Sequence, residues 1–101
     1  MPMMDSNDNR VFEIVRNTPD DHEIHDDQWI VWGYIYQTIH SGQQIEAVVD
    51  DEHFAFMIDE IYTYGHIIDE IDRGMSARLA LSGPTSSELK QVKYLYRVSE
   101  Q

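Results

Sequence analysis

Cysteine is absent from the chain, which excludes disulfides and thiolate metal sites and leaves the redox setting undetermined. No apolar run approaches the roughly 18 residues that a membrane span requires. The longest, residues 29–35, is short and preceded by acids. The start, Met1-Pro2-Met3-Met4-Asp5, has neither the basic residues nor the apolar core of a secretion signal, so a cytoplasmic location is expected. Catalytic signatures are missing too: there is no cysteine nucleophile, Gly-x-Ser-x-Gly elbow or Gly-rich phosphate loop. Paired carboxylates are too plentiful in so acidic a chain to mark a glycosidase pair. A chain of 101 residues also leaves little room for an enclosed pocket of enzyme dimensions. No enzymatic activity, catalytic residue or cofactor is expected.

Positive charge is scarce. Seven Lys and Arg face nineteen Asp and Glu, for a formal net charge of −12. No Lys or Arg lies between Arg16 and Arg73, whereas five of the bases (Arg73, Arg78, Lys90, Lys93 and Arg97) follow. Nucleic-acid binders gain affinity by neutralising phosphates, so direct nucleic-acid binding is disfavoured, as is attachment to anionic lipid. A negative field of this size attracts basic surfaces instead and speeds encounter with them.

What the chain does contain is apolar residues, 42% of the total. That suffices for a core that offsets chain entropy. We read residues 1–10 as a polar tail and 11–101 as one globular domain. The segment 51–73 carries Phe54, Met57, Ile58, Ile61, Tyr64, Gly65 and Ile68 at three- and four-residue spacing, which predicts a long helix. Asp50 and Asp51 suit its start, Arg73 its end, and Gly74 the residue after it. Residues 28–40 form a second helix candidate, so apolar all round that deep burial or a strand are the alternatives. Thr85-Ser86-Ser87-Glu88 fits a capping box opening a helix over 89–98, against a strand in which Val92, Tyr94, Tyr96 and Val98 alternate with their neighbours. Short β elements are allowed at 11–15 and 44–49. The expected fold is mainly α, a small bundle of three or four helices around the long central one, with α+β as the alternative. Gly33 and Gly65, inside apolar helical patterns, are read as points where two helix backbones approach closely.

A helix over 51–73 would display Glu52, Asp59, Glu60, Asp69 and Glu70 away from its apolar stripe. With 1.5 Å rise per residue, Glu52 and Glu70 would stand about 27 Å apart, so the row has the sign of a phosphate backbone and loosely its spacing. Ordinary solvated faces mix signs, because pairs of opposite charge support a helix; this one has no Lys. A second acidic row, Asp20, Asp21, Glu23, Asp26 and Asp27, encloses His22 and His25. The HxxH spacing could serve a metal, but it lacks the His-Glu-x-x-His order of a zinc hydrolase, and no metal site is expected. Phe56 and Ile67, on the acidic side of the predicted helix, are either packed on a neighbour or apolar anchors within a charged rim.

In composition the chain resembles small phage-encoded inhibitors of host defence, such as anti-CRISPR and anti-restriction proteins, some of which block a DNA-binding groove with negative charge. The resemblance implies a small acidic protein that inhibits a basic, nucleic-acid-binding partner through a DNA-mimic-like surface. The partner-binding residues would be Asp20, Asp21, Glu23, Asp26, Asp27, Glu52, Asp59, Glu60, Asp69 and Glu70. The alternative is an adaptor that docks through an apolar helix face, with Tyr94 and Tyr96 beside Lys90, Lys93 and Arg97 as one such contact, and with the acids serving solubility alone.

Overall fold

The computed structural model describes residues 9–17, 28–84 and 87–98. Among them it has no α-helix. The described residues form nine strands: β1 Arg10–Asn17, β2 Gln28–Ile35, β3 Ile39–His40, β4 Gln44–Val49, β5 Glu52–Thr63, β6 His66–Ile68, β7 Glu70–Ile71, β8 Ser76–Ser82 and β9 Tyr94–Arg97, with a short 3-10 helix at Ser87–Gln91. The expected helical bundle is therefore overturned, and so is the α+β alternative. Six strands close into an antiparallel barrel in the order β1-β2-β8-β5-β4-β9, with β9 returning to β1. The order brings β4, β5 and β8 side by side in sequence and sets β2 against β8, a Greek-key arrangement.

The pleat explains the barrel. Successive side chains on a strand point to opposite faces, so a strand wrapped round a core needs an apolar residue at every second position. In β2, Trp29, Val31 and Ile35 are buried while Trp32 and Tyr34 are exposed. The apolar surroundings of 28–40 thus belong to two faces of a strand, and the helix expected there is corrected. Likewise β8 buries Ala77, Leu79 and Leu81, and β4 buries Ile45, Ala47 and Val49. Phe12, Phe56, Ile58 and Leu95 fill the remaining interior, with the Trp29 and Phe56 rings 5.0 Å apart. Ile39 and Ile71, paired in the small β3–β7 sheet, and Leu89 and Val92 around the 3-10 helix add to the same core. Asn17 ties that helix to the barrel: it accepts from the Trp29 indole at 2.8 Å and donates to the Leu89 carbonyl at 2.9 Å.

The predicted long helix over 51–73 is instead β5, a two-residue turn, β6 and β7, and its helical spacing has a mechanical origin. Phe54 to Ile58 is two pleat periods. Ile58 to Ile61 is one period plus an extra residue, because the register on β8 slips between Ile58 and Glu60, a β-bulge at Asp59. Ile61 and Ile68 face each other across the hairpin. Steps of four, three and seven thus imitate one side of a helix. Asp50 and Asp51, expected at a helix start, have φ of 52° and 72°, and Tyr64 and Gly65 have 50° and 83°. Each pair makes the type I′ turn of a tight hairpin, in which both central residues are left-handed. Gly33 is not a helix–helix contact either. It faces inward on β2 beside the irregularity in β1, and a Cβ there would lie 1.8 Å from the Glu13 carbonyl oxygen. The segment 89–98 ends in strand β9, so the helix expected from the capping box is also corrected; Thr85 and Ser86 lie outside the described residues.

Two stability measurements check this architecture. Gly33→Ala should lower unfolding free energy by about 3 kcal/mol or prevent folding, since the obstructing atom belongs to the backbone. Asp51→Gly should raise it by about 1 kcal/mol by relieving left-handed strain. At a helix start the same change would destabilise by a few tenths of a kcal/mol, so the sign observed in urea melts separates the two folds.

Candidate binding face on the barrel wall

Among the described residues the acids do not form a row. Asp50, Asp51 and Glu52 gather at the β4–β5 turn and are exposed. Asp69, Glu70 and Asp72 are exposed around β7, at the end of the barrel where β2 and β4 are joined by residues 36–43. Glu52 lies opposite Val49. Glu60 points outward from β5 opposite Ala80. Asp59 occupies the bulge, where its carboxylate accepts from Gln28 at 2.9 Å and from the Ser82 hydroxyl; it is a strand fastener as well as a charge. Asp20, Asp21, Glu23, Asp26 and Asp27, with His22 and His25, lie outside the described residues. Among the described residues no group of three His, Asp or Glu is placed to hold a metal ion, and no helix is long and apolar enough to cross a membrane.

The middle of the wall carries a different chemistry. Antiparallel pairing sets Arg16 of β1 opposite Trp32 of β2, Trp32 opposite Arg78 of β8, Arg78 opposite Tyr62 of β5, and Tyr62 opposite Ile67 of β6. Directly opposed residues share a face, so these five form one lateral row across five strands. The Arg78 guanidinium lies 4.3 Å from the centre of the Tyr62 ring and 5.5 Å from that of Trp32, within cation–π range of both. Arg16 and Arg78 make no ion pair with any described residue. Val15, the unpaired residue of the β1 irregularity, is 60% exposed, Ile67 61% and Tyr64 79%.

Next to this row the wall is hollowed. A trough of about 320 Å³ is bounded by Trp32 and Tyr34 on β2 and by Tyr62 and Tyr64 on and beyond β5, with Ser76 and Arg78 of β8 between them. Strands are spaced by about 4.8 Å, so the aromatic walls rise from backbones about 10 Å apart. The trough exists because the middle strand presents a serine where its neighbours present rings. Thr63 donates to the Ser76 carbonyl at 2.9 Å and fixes the rim.

A second cluster sits where β1 meets β9. Arg10 lies over Tyr94 at 4.6 Å and Tyr36 at 5.1 Å, and Tyr36 donates to Glu13 at 2.6 Å. That hydrogen bond to the carboxylate, with some loss of solvent, holds the Tyr36 phenol above its usual pKa. Tyr94 and Tyr96, considered above as a docking contact, are half-buried in this cluster or beside it. Glu46 and His53 pair at 3.2 Å on the outside of β4 and β5. These groups engage one another, whereas those of the trough turn to solvent.

Of the two apolar residues expected on an acidic helix face, Phe56 is core and Ile67 is exposed at the end of the Arg16–Ile67 row. Sequence reasoning missed Trp32, Tyr34 and Tyr62 because it assigned their segments to helices, and Arg78 because residues 75–82, between Gly74 and the Gly83-Pro84 break, gave no clear element. The alternation in Trp29-Ile30-Val31-Trp32-Gly33-Tyr34-Ile35 and in Ser76-Ala77-Arg78-Leu79-Ala80-Leu81 was the available signal; which strands stand next to one another was not. No protein-family model matches the chain, and neither does any curated protein or solved structure compared with it.

Proposed function

We propose that this protein is a non-catalytic binding module that docks another protein on the outer wall formed by β2, β8 and β5. One observation carries the reading: Trp32, Arg78 and Tyr62 lie in register on adjacent strands, accessible and without an ion pair among the described residues. Trp, Arg and Tyr are the residues most enriched where binding energy concentrates in protein interfaces. Their mutual cation–π contacts contribute only about 0.5–1 kcal/mol each at a surface, less than burial of the same side chains in an interface would. A cytoplasmic setting remains part of this proposal.

A second reading is favoured by the net charge of −12. It is a small acidic inhibitor of a basic, nucleic-acid-binding protein, of the phage counter-defence type. Without the long helix, the carboxylates available to it are those at the barrel ends, Asp50, Asp51 and Glu52 or Asp69, Glu70 and Asp72, together with Glu60. Both readings exclude direct nucleic-acid contact as the main mode, for the electrostatic reason given above.

Affinity measurements on a partner recovered by capture separate them. Trp32→Ala should weaken binding about 30-fold, the effect of losing one central anchor. Reversal of Glu52, Glu60, Asp69 and Glu70 to lysine should change it less than about three-fold, as rim charges do. Asp59 is left intact in that set because it fastens the bulge. The opposite pattern selects the acidic inhibitor. Salt provides an independent readout: between 0.05 and 0.5 M the Debye length falls from about 14 to about 4 Å, which should barely affect docking on the aromatic wall and should cripple recognition of a basic surface.

A further inference from the structure

Resting on the reading that the β2–β8–β5 wall is the docking face, we propose that its trough takes an extended peptide segment of the partner, with an apolar side chain held between the aromatic walls and an acidic side chain two positions away paired with Arg78. Trp32 and Tyr34 on β2 face Tyr62 on β5, from strands about 10 Å apart, and Tyr64 in the turn just beyond β5. Non-bonded carbon atoms meet at about 3.5–4.0 Å, so one layer of apolar side chain, such as a proline or an aromatic ring, fits between them. The trough opens to solvent, and Ser76, small beside the flanking rings, lies on its floor.

Spacing sets the second position. Ser76 and Arg78 are the outward residues of β8 that flank Ala77, and same-side residues on an extended strand repeat every ~7 Å. A ligand running along β8 repeats with the same period. When one of its side chains lies over Ser76, the side chain two positions on lies over Arg78. The guanidinium there lies 4.3 Å from the Tyr62 ring centre and 5.5 Å from that of Trp32, and its N–H groups donate to no acceptor among the described residues. A guanidinium placed between two rings with its donors unused is suited to a carboxylate. Arg16, beyond Trp32 in the same row, extends the positive end. A single-stranded nucleic acid would also find rings and guanidinium groups here. However, it carries a charge at every residue, against two cations on this face and a net charge of −12 on the whole protein. A segment with one or two acids meets far less repulsion.

The test is selection of random 12-residue displayed peptides on the full chain, followed by affinity measurement of the enriched peptides against wild type, Arg78→Gln and Tyr64→Asn. Asparagine keeps the left-handed turn that Tyr64 occupies, so a wall is removed without disturbing the hairpin, and thermal melts confirm that both variants are folded. The expected peptides pair an apolar residue with Asp or Glu two positions away and weaken at least ten-fold on each variant. Peptides that lose affinity on Tyr64→Asn but carry no acid and ignore Arg78→Gln would overturn the acidic-segment proposal and leave the docking face standing. Basic peptides indifferent to both variants, or no enrichment at all, would overturn both. So would binding of a twelve-residue oligothymidine, or a concentration-dependent dimer, that is lost on Tyr64→Asn, since either places a different occupant in the trough.

Discussion

Closure of the sheet through β4 is the constraint on which the rest of the molecule depends. β4 pairs with β5 over six residue pairs and with β9 at Ile45 and Glu46, and without those contacts the sheet would be an open ribbon with two exposed edges. Closure satisfies the edge hydrogen bonds and encloses the apolar side of every strand at once. It also demands that β5 serve two neighbourhoods, β4 along its first half and β6 along its second, with β8 on the other side. A twelve-residue strand that does this must bend, and the bulge at Asp59 supplies the bend. The Gln28 and Ser82 side chains that hold Asp59 are thus part of the closure rather than surface decoration.

A small closed barrel decides what is left for the outside. Its interior takes a limited number of side chains, here chiefly aliphatic, with Phe12, Trp29 and Phe56 as the fully buried rings. Apart from Phe54, which packs against the core, the remaining aromatics emerge on the wall or at turns. Two of the resulting clusters are built round an arginine. The one at Arg10 is covered by Tyr36 and Tyr94, with Tyr36 held by Glu13, although the buried Arg10 Nε has no hydrogen-bond partner among the described residues. The one at Arg78 lies on the outer wall between Trp32 and Tyr62.

The same geometry redistributes the negative charge. On a rod the carboxylates of residues 52–70 would add into one field; around a barrel they separate to the two ends and to isolated wall positions. Charge at opposite ends still gives long-range repulsion and solubility. Among the described residues the carboxylates do not join into one continuous stripe. The wall between these acidic ends carries Arg16 and Arg78 among its aromatic residues.

How much could be read from the residues alone differs from segment to segment. The alternation in β8 and β4 was legible, and the short β elements allowed at 11–15 and 44–49 fall within β1 and β4. In β5 the period was hidden, because one inserted residue at Asp59 and one reversal at Tyr64-Gly65 turned a period of two into apparent helical spacing. The Asp50-Asp51 and Tyr64-Gly65 pairs were turn signals, yet acids also suit helix starts and their local chemistry does not choose. Composition by itself determined the charge, the lack of covalent cross-links and the presence of enough apolar surface for a core, since these are sums that no arrangement alters. Only the tertiary structure decided that Arg16, Trp32, Arg78, Tyr62 and Ile67, distant along the chain, share one row. Strand neighbours are chosen by closure of the whole sheet, and no short-range preference encodes that choice.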